Sequence, residues 1–477
     1  MTFLKKLYLR AARFKKQAGG ITIWLALSFL VFLGLYQVCL NSVWKQSQRQ
    51  QAEQAVEAGM FSLLSEYEPH LLEDYDLFYI DSSFRTGTEQ KDELCSHIWK
   101  YVDMNLKNTM EQPVYGLQLK GVNVKDLVRA TDENGMVFYQ QAVQIMKEKT
   151  GASLAEDWLS LESWKNDADE KAERYQRHCE RYKGSVVDYE AEDDEEEPEE
   201  EAFAWDGLWE SFTLSMVIPK SREISEEAVH LDTVPSHRTL SMGSGKAVST
   251  GILDKQWFIS YLCEYLTQAQ EMLQEKRESG YLDYQLEYVI HGRASDRENL
   301  EKTIQKLLLL REGVNYAFLL SHQAYEDKAE ILAYVLAGIT GNEALIKSVK
   351  HLILLGWAYG ESLTEVRQLL NGCELAVIKS EDHWQVPLSG LLSMIGNPGK
   401  YDVQGKKQEG MDYEDFIKMF LMLQSEEGLA MRALDVIEGE LQSKSGCEKI
   451  HLDHCIDTVT AQFWLDDIYL ERSAGYE

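Results

Sequence analysis

The densest group of chemically capable side chains is "CEKIHLDHC", residues 447–455, which sets Cys447, His451, His454 and Cys455 within nine positions. Thiolate and imidazole are good ligands for zinc, so four of them together invite a metal centre. The spacing C-x3-H-x2-H-C departs from the usual zinc patterns, and adjacent His454 and Cys455 point to opposite sides if the segment is a strand. Three readings stay open. The segment is the start of a strand with one buried cysteine and exposed histidines, which the spacing favours; or Cys447 and Cys455 form a disulfide across a turn; or all four side chains hold zinc.

Other stretches imitate known sites and fail on a particular residue. "GSGKAVST" (243–250) has the look of a phosphate loop, but Leu240 stands where the first glycine belongs and Ala247 follows the lysine in place of Ser or Thr. "YIDSSFR" offers Asp81 and Ser83 to a metal-dependent adhesion pattern of the Asp-x-Ser-x-Ser kind, and Arg85 replaces its second serine. Ser244 lies between Met242 and Lys246 where a nucleophile elbow needs glycines. His-Glu-x-x-His is absent. No intact catalytic motif is found, no cofactor is expected, and a non-enzymatic role is the expectation.

The elements that would carry these residues begin with an apolar run. Ile21 to Leu40 is 20 residues without a charge, long enough as a helix to span roughly 30 Å of hydrocarbon. Six basic residues lie before it, between Lys5 and Lys16, which by the positive-inside rule puts the N-terminus in the cytoplasm and the body outside. The run is long for a signal peptide, and "CLNSVWKQSQRQ" after it is a poor cleavage site, so an uncleaved signal anchor is expected. Gly19, Gly20, Ala26 and Gly34 permit close approach of neighbouring spans and would allow self-association. Beyond the run, Ala52, Ala55, Val56, Gly59, Met60, Leu63 and Tyr67 recur at three- and four-residue steps, one face of an amphipathic helix. A continuous rod from residue 20 to about 68 is predicted, ended by Pro69; a break at Asn41–Ser42 is the alternative.

The chain of 477 residues has a formal net charge of −31. Residues 1–50 hold eight basic residues and no acidic one, which leaves 40 basic against 79 acidic side chains in the rest. Such a body is repelled by phosphate backbones, so nucleic-acid binding is excluded as an expectation. Ten of the twelve residues in "EAEDDEEEPEEE" (190–201) are acidic, and a disordered linker is expected there, running loosely to about Gly251.

The remaining pattern is helix-dominated α+β, with a few antiparallel strands. Strands are expected within 114–125, 281–292 and 456–465, where Val459, Ala461 and Phe463 share a face. A turn is expected at 131–135, the stretch from about Met136 to Tyr182 is expected to be helical and strongly charged, and its part 158–182 reads as a protruding arm or the edge of a helical hairpin. Helices are expected at 257–273, 296–321 (capped by Ser295), 325–339, 342–371 and from Asp412 to about Leu441. The domain boundaries follow: a basic segment 1–20, a transmembrane helix 21–40, a membrane-proximal region 41–187, an acidic linker 188–251 and a helix-rich region 252–477.

The basic stretch, "GGITI", the apolar run and "QAVEAGMFSLLSEYEPHLLEDYDLFYID" together resemble the N-terminus of the TadE/TadG-like proteins of Tad (Flp) pilus loci. More closely, the chain resembles an uncharacterised single-pass family of such loci in Gram-positive bacteria, through residues 132–147, 286–320, 352–372 and 411–438. The resemblance implies a membrane-anchored, pilin-like accessory or assembly component whose partners are the lipid bilayer and other pilus or membrane-apparatus proteins. The sequence departs from processed pilins, which carry Glu at the fifth position after the cleaved glycine; here Trp24 or Leu25 stands there. That favours an accessory component over a filament subunit. The alternative is a membrane-anchored extracytoplasmic enzyme or ligand-binding module with a metal site at 447–455.

Overall fold

The computed structural model describes residues 2–107, 114–150, 154–190, 214–219, 222–247, 250–251, 253–274, 280–391 and 410–476. Nearly all of the acidic stretch at 190–201 lies outside them, as do parts of the linker expected at 188–251. The chain forms two compact units, one from Met1–Tyr67, Gln90–Leu127 and Thr458–Tyr476, the other from Glu68–Glu89 and Val128–Asp457. The fold is mostly helical with a small antiparallel sheet.

The first unit is organised by α1 (Thr2–Leu64), a single uninterrupted helix of 63 residues. Among the described residues it is the one helix long and apolar enough to cross a membrane, and none of its most apolar window is buried. The break at Asn41–Ser42 does not occur. Past that window the helix turns amphipathic as expected: Ala52, Ala55, Val56, Gly59, Met60 and Leu63 are buried, and Tyr67 is half-buried beyond the helix end. Their partner is α3 (Lys91–Leu106), which buries Leu94, Ile98, Val102 and Leu106. Gly59 sets the closeness of this crossing, because a Cβ there would stand 2.5 Å from Val102 Cγ2 and 2.9 Å from Val102 N. Strand β2 (Leu119–Arg129) and the hairpin of β3 (Cys455–Leu465) and β4 (Ile468–Gly475) complete the sheet, with β4 paired to β3 from Thr458↔Gly475 to Leu465↔Ile468. Val459, Ala461 and Phe463 are buried, as their alternation predicts.

Pro69 does not end α1, which stops five residues earlier. It opens α2 (Pro69–Tyr75) at the first helical turn, where its missing N–H costs nothing. In the same unit, β1 (Ile80–Asp81) pairs with Ile456 and Cys455 of β3. The second unit is then built from α4 (Asp132–Thr150), α5 (Leu154–Glu190), α6 (Asp254–Tyr265), α7 (Ala269–Gln274), α8 (Gln285–His291), α9 (Asp296–Ser321), α10 (Gln323–Ala337), α11 (Glu343–Leu370), α12 (Tyr413–Met422) and α13 (Glu426–Ser443).

Several expectations are corrected here, each by tertiary contact. The strand expected at 281–292 is instead the short helix α8, in which Gln285 to Ile290 are all buried. Burial on every side erases the difference between period two and period 3.6, and Gly292 at φ 61° ends the helix. The helix expected at 257–273 is two, because Thr267 and Ala269 give their N–H groups to the Gln285 and Glu287 side chains at 3.1 and 3.0 Å. The helix from Asp412 is also two: Asp412 closes a capping box with Asp415, and Ser425 caps α13 through Gly428 N. The charged arm does not protrude. Along α5, Trp158, Ala168, Ala172 and Tyr175 are buried, and α9 offers Gly313 where a Cβ would meet the Ala172 backbone at 2.5 Å. Within the expected linker, Val217, Ile218, Val229 and Val234 are buried, and Val229 N donates to Ala294 O at 2.7 Å. The turn at 131–135 is present, with Glu133, Asn134 and Gly135 all left-handed.

Candidate functional site

The four residues of the 447–455 segment do not converge. Cys447, in the turn after α13, has Glu68 and His70 as its potential co-ligands, whereas His451 has Glu438 and Asp453; within each trio the ligand atoms lie within 4.8 Å of one another. Both trios already contain a cation. The Arg85 guanidinium sits on Glu68 at 2.8–3.2 Å, and Arg238 bridges Glu438 and Asp453 at 2.5–2.9 Å. A guanidinium in this position supplies the charge and the directed donors that a metal would otherwise supply. Cys447 and Cys455 are free thiols, and burial pushes both pKa values up, away from the thiolate that metals bind. His454 is directed elsewhere, its Nε2 lying 3.3 Å from Ser241 Oγ. Glu438 also receives the Leu452 N–H at 2.8 Å, so the cluster braces the turn that leads into β3.

The other imitations fail for equally concrete reasons. In 243–250, Gly243 N and Gly245 N are spent on the Asp132 carboxylate at 2.8 and 3.2 Å, so these amides are not offered to a phosphate. Beside them is a cleft of about 760 Å³ that includes Glu133, Glu426, Glu427 and Lys246. Asp81 uses both carboxylate oxygens on its own turn, accepting from Ser83 N at 2.8 Å and Arg85 N at 2.7 Å. A trio that sequence reading missed is Ser236, His237 and Asp435. Its residue types suit nucleophilic catalysis, but Ser236 Oγ lies between the others, at 2.8 Å from His237 Nδ1 and 2.5 Å from Asp435 Oδ2. Catalysis requires the imidazole in the middle, relaying the proton.

A further concave surface of the second unit was not legible in the sequence. It begins with a buried ionic lattice between α9 and α11. Arg311 holds Glu365 through two bonds of 2.8 and 2.9 Å, and Lys379 joins Glu365 to Glu361 at 2.6 Å each. Burial alone would raise Glu365, but Arg311 and Lys379 outweigh it and hold its pKa at about 2. Burial raises Glu361, with Lys379 opposing it. Glu361 then takes the Gln385 and Val386 N–H groups at 3.0 and 2.8 Å. The Val386 carbonyl in turn accepts from both indoles, Trp357 at 2.7 Å and Trp384 at 2.8 Å. The two rings meet edge to face, 5.5 Å apart, and Tyr325 packs against both.

These rings form part of the wall of a groove of about 880 Å³, which α10 completes with Ile331, Leu332 and Val335. Ala329, Ala333 and Ala337 face inward on α10, while Ile331, Tyr334, Val335 and Leu336 are exposed, together with Ile339 just beyond the helix. Such an apolar, aromatic-walled surface is suited to burying an apolar segment of another molecule.

On α1, Gly20 and Gly34 have nothing within 4 Å where a Cβ would stand, and Ala26 is exposed, so this face is open to a neighbour. The surroundings of Gly19 lie outside the described residues. No curated protein and no solved structure matches the chain. Residues 189–467 match the family described as "Family of unknown function (DUF5702)", and because that match takes in more than half of its length, the chain belongs to this family.

Proposed function

We propose that this protein is a single-pass, N-terminally anchored accessory or assembly component of a Tad-type pilus or a related surface apparatus, acting through protein contacts and not through catalysis. The observation that carries the reading is α1 itself. One unbroken helix presents its apolar run, Ile21 to Leu40, with none of the described residues covering it, and sinks the small and apolar face of its last part, Ala52 to Leu63, into a folded unit. A helix with exposed apolar side chains on all sides needs lipid or other spans around it. The six basic residues before the apolar run support an N-terminus on the cytoplasmic side by the positive-inside rule. The guanidinium-filled clusters and the apolar groove favour a body that binds partners over one that performs chemistry. The pilus context rests on the sequence resemblance.

The test is the intact mass of the native protein in membrane and sheared-surface fractions, with cross-linking in intact cells to identify its neighbours. A full-length chain confined to membranes and cross-linked to pilus-assembly proteins is the expected result. A chain beginning near Gly20 in sheared material would make it a filament subunit, and neighbours unrelated to a surface apparatus would overturn the reading.

A further inference from the structure

The end of the apolar run carries an aromatic pair that the folded unit does not bury. Trp44 of α1 is 53% exposed and Tyr115 is 40% exposed, yet their rings meet edge to face with centroids 5.3 Å apart. Tyr115 sits in a tight turn, Val114–Gly116, with φ 55° and ψ 15°. Left-handed backbone is disfavoured for a non-glycine residue, because its Cβ crowds the following carbonyl. Gln48 Nε2 secures the turn by donating to the Tyr115 carbonyl at 3.2 Å. The chain thus holds a tyrosine on the surface, against a tryptophan, in a backbone conformation that disfavours it.

We propose that Trp44 and the 114–116 turn are a foot that seats this unit in the phospholipid headgroup layer. The inference rests on the reading that α1 crosses a membrane. Leu40 ends the strongly apolar run that begins at Ile21, so Trp44 stands roughly 6 Å farther along the helix, just before Lys45, the first charge after the run. Each headgroup layer adds roughly 5–8 Å to the hydrocarbon core, which puts the Trp44 ring inside it. Helical side chains lean toward the helix N-terminus, so the Trp44 ring tips back toward the bilayer. Contact with Trp44 carries Tyr115 to the same depth. Tryptophan and tyrosine are the residues enriched in this layer, apolar on the ring and hydrogen-bonding at the tip. The exposed side chains of Val43 and Lys45 flank the pair, one apolar and one able to reach lipid phosphate. The surface is continuous with the lipid-facing helix, and this continuity selects lipid as the occupant. A foot of this kind would fix both the height and the rotation of the unit about α1, which a lone span leaves free.

The full-length protein, carrying the photo-reactive residue of Tyr115→p-benzoylphenylalanine, is reconstituted in phosphatidylcholine vesicles containing phosphatidylglycerol and irradiated. The same replacement at Trp44 serves as a second probe, and at Phe61, exposed on α1 roughly 26 Å beyond Trp44, as the control. The expected result is lipid adducts at 115 and 44, several-fold above the yield at 61. A chain that resists alkaline extraction but gives no lipid adduct at 115 overturns the foot and leaves the anchor standing. Adducts at 115 to a second copy of the chain overturn it in favour of a protein interface. A chain released by alkali removes the anchor and the foot together.

Discussion

Two helix pairs in this molecule solve the same packing problem with opposite chemistry. Between α1 and α3 the seam is apolar and close, with Gly59 under Val102 and Ala52, Ala55, Val56, Met60 and Leu63 along it. Polar groups stay at its edge, where Glu66 takes His97 Nδ1 at 2.7 Å and Arg472 lies 3.6–3.7 Å from Glu53 and Glu57. Between α9 and α11 the seam contains Arg311 and Glu365, almost wholly buried, with Lys379 and Glu361 beside them. The first arrangement depends on shape. The second depends on complete pairing, since each buried charge is tolerable only with its partners in place. The ionic seam is also the one that positions Val386 and both indoles of the groove, so pairing there sets the form of an exposed surface.

The largest effect expected from breaking this contrast is at Arg311. Arg311→Met leaves Glu365 short of its main partner, and the second unit should lose about 3–5 kcal/mol in chemical denaturation. A loss below about 1 kcal/mol would show that Lys379 alone suffices. On the apolar seam, Gly59→Val drives a branched side chain into the Val102 backbone and should cost the first unit about 1–3 kcal/mol, at the upper end because backbone must move. Thermal unfolding followed by probes in each unit would show whether the loss stays in the first.

A buried carboxylate with no cation paired to it among the described residues sharpens the comparison. Glu287 accepts from Tyr413 Oη at 2.7 Å and Ala269 N at 3.0 Å, and burial raises its pKa to about 7. Its folded form binds a proton more tightly than its unfolded form, so stability falls as pH rises from the unfolded value, about 4.3, to about 7. Glu287→Gln keeps the acceptor and should remove that part of the slope, about 3–4 kcal/mol across the window. An unchanged profile would refute the assignment. The smallest effect is expected at the rim of the apolar seam, where Arg472→Gln should cost less than about 1 kcal/mol and the cost should shrink further in high salt.

The features legible in the sequence were those decided over one or two helical turns. The uncharged run Ile21–Leu40, the stripe from Ala52 to Leu63, the caps at Ser295 and Asp412 and the alternation of Val459, Ala461 and Phe463 all follow from neighbours along the chain. Local spacing is enough there because each pattern meets one solvent or one core on a single side. Tertiary structure decided the rest. It made 285–291 a helix, since residues buried all round lose the periodicity that tells a helix from a strand. It buried α5 against Gly313, a contact between positions far apart in the chain. It parted Cys447 from His451, set Glu68 beside the one and Glu438 beside the other, and filled both sites with arginines. Spacing in sequence brings ligands near one another, but their partners and their charge balance come from the segments that fold against them.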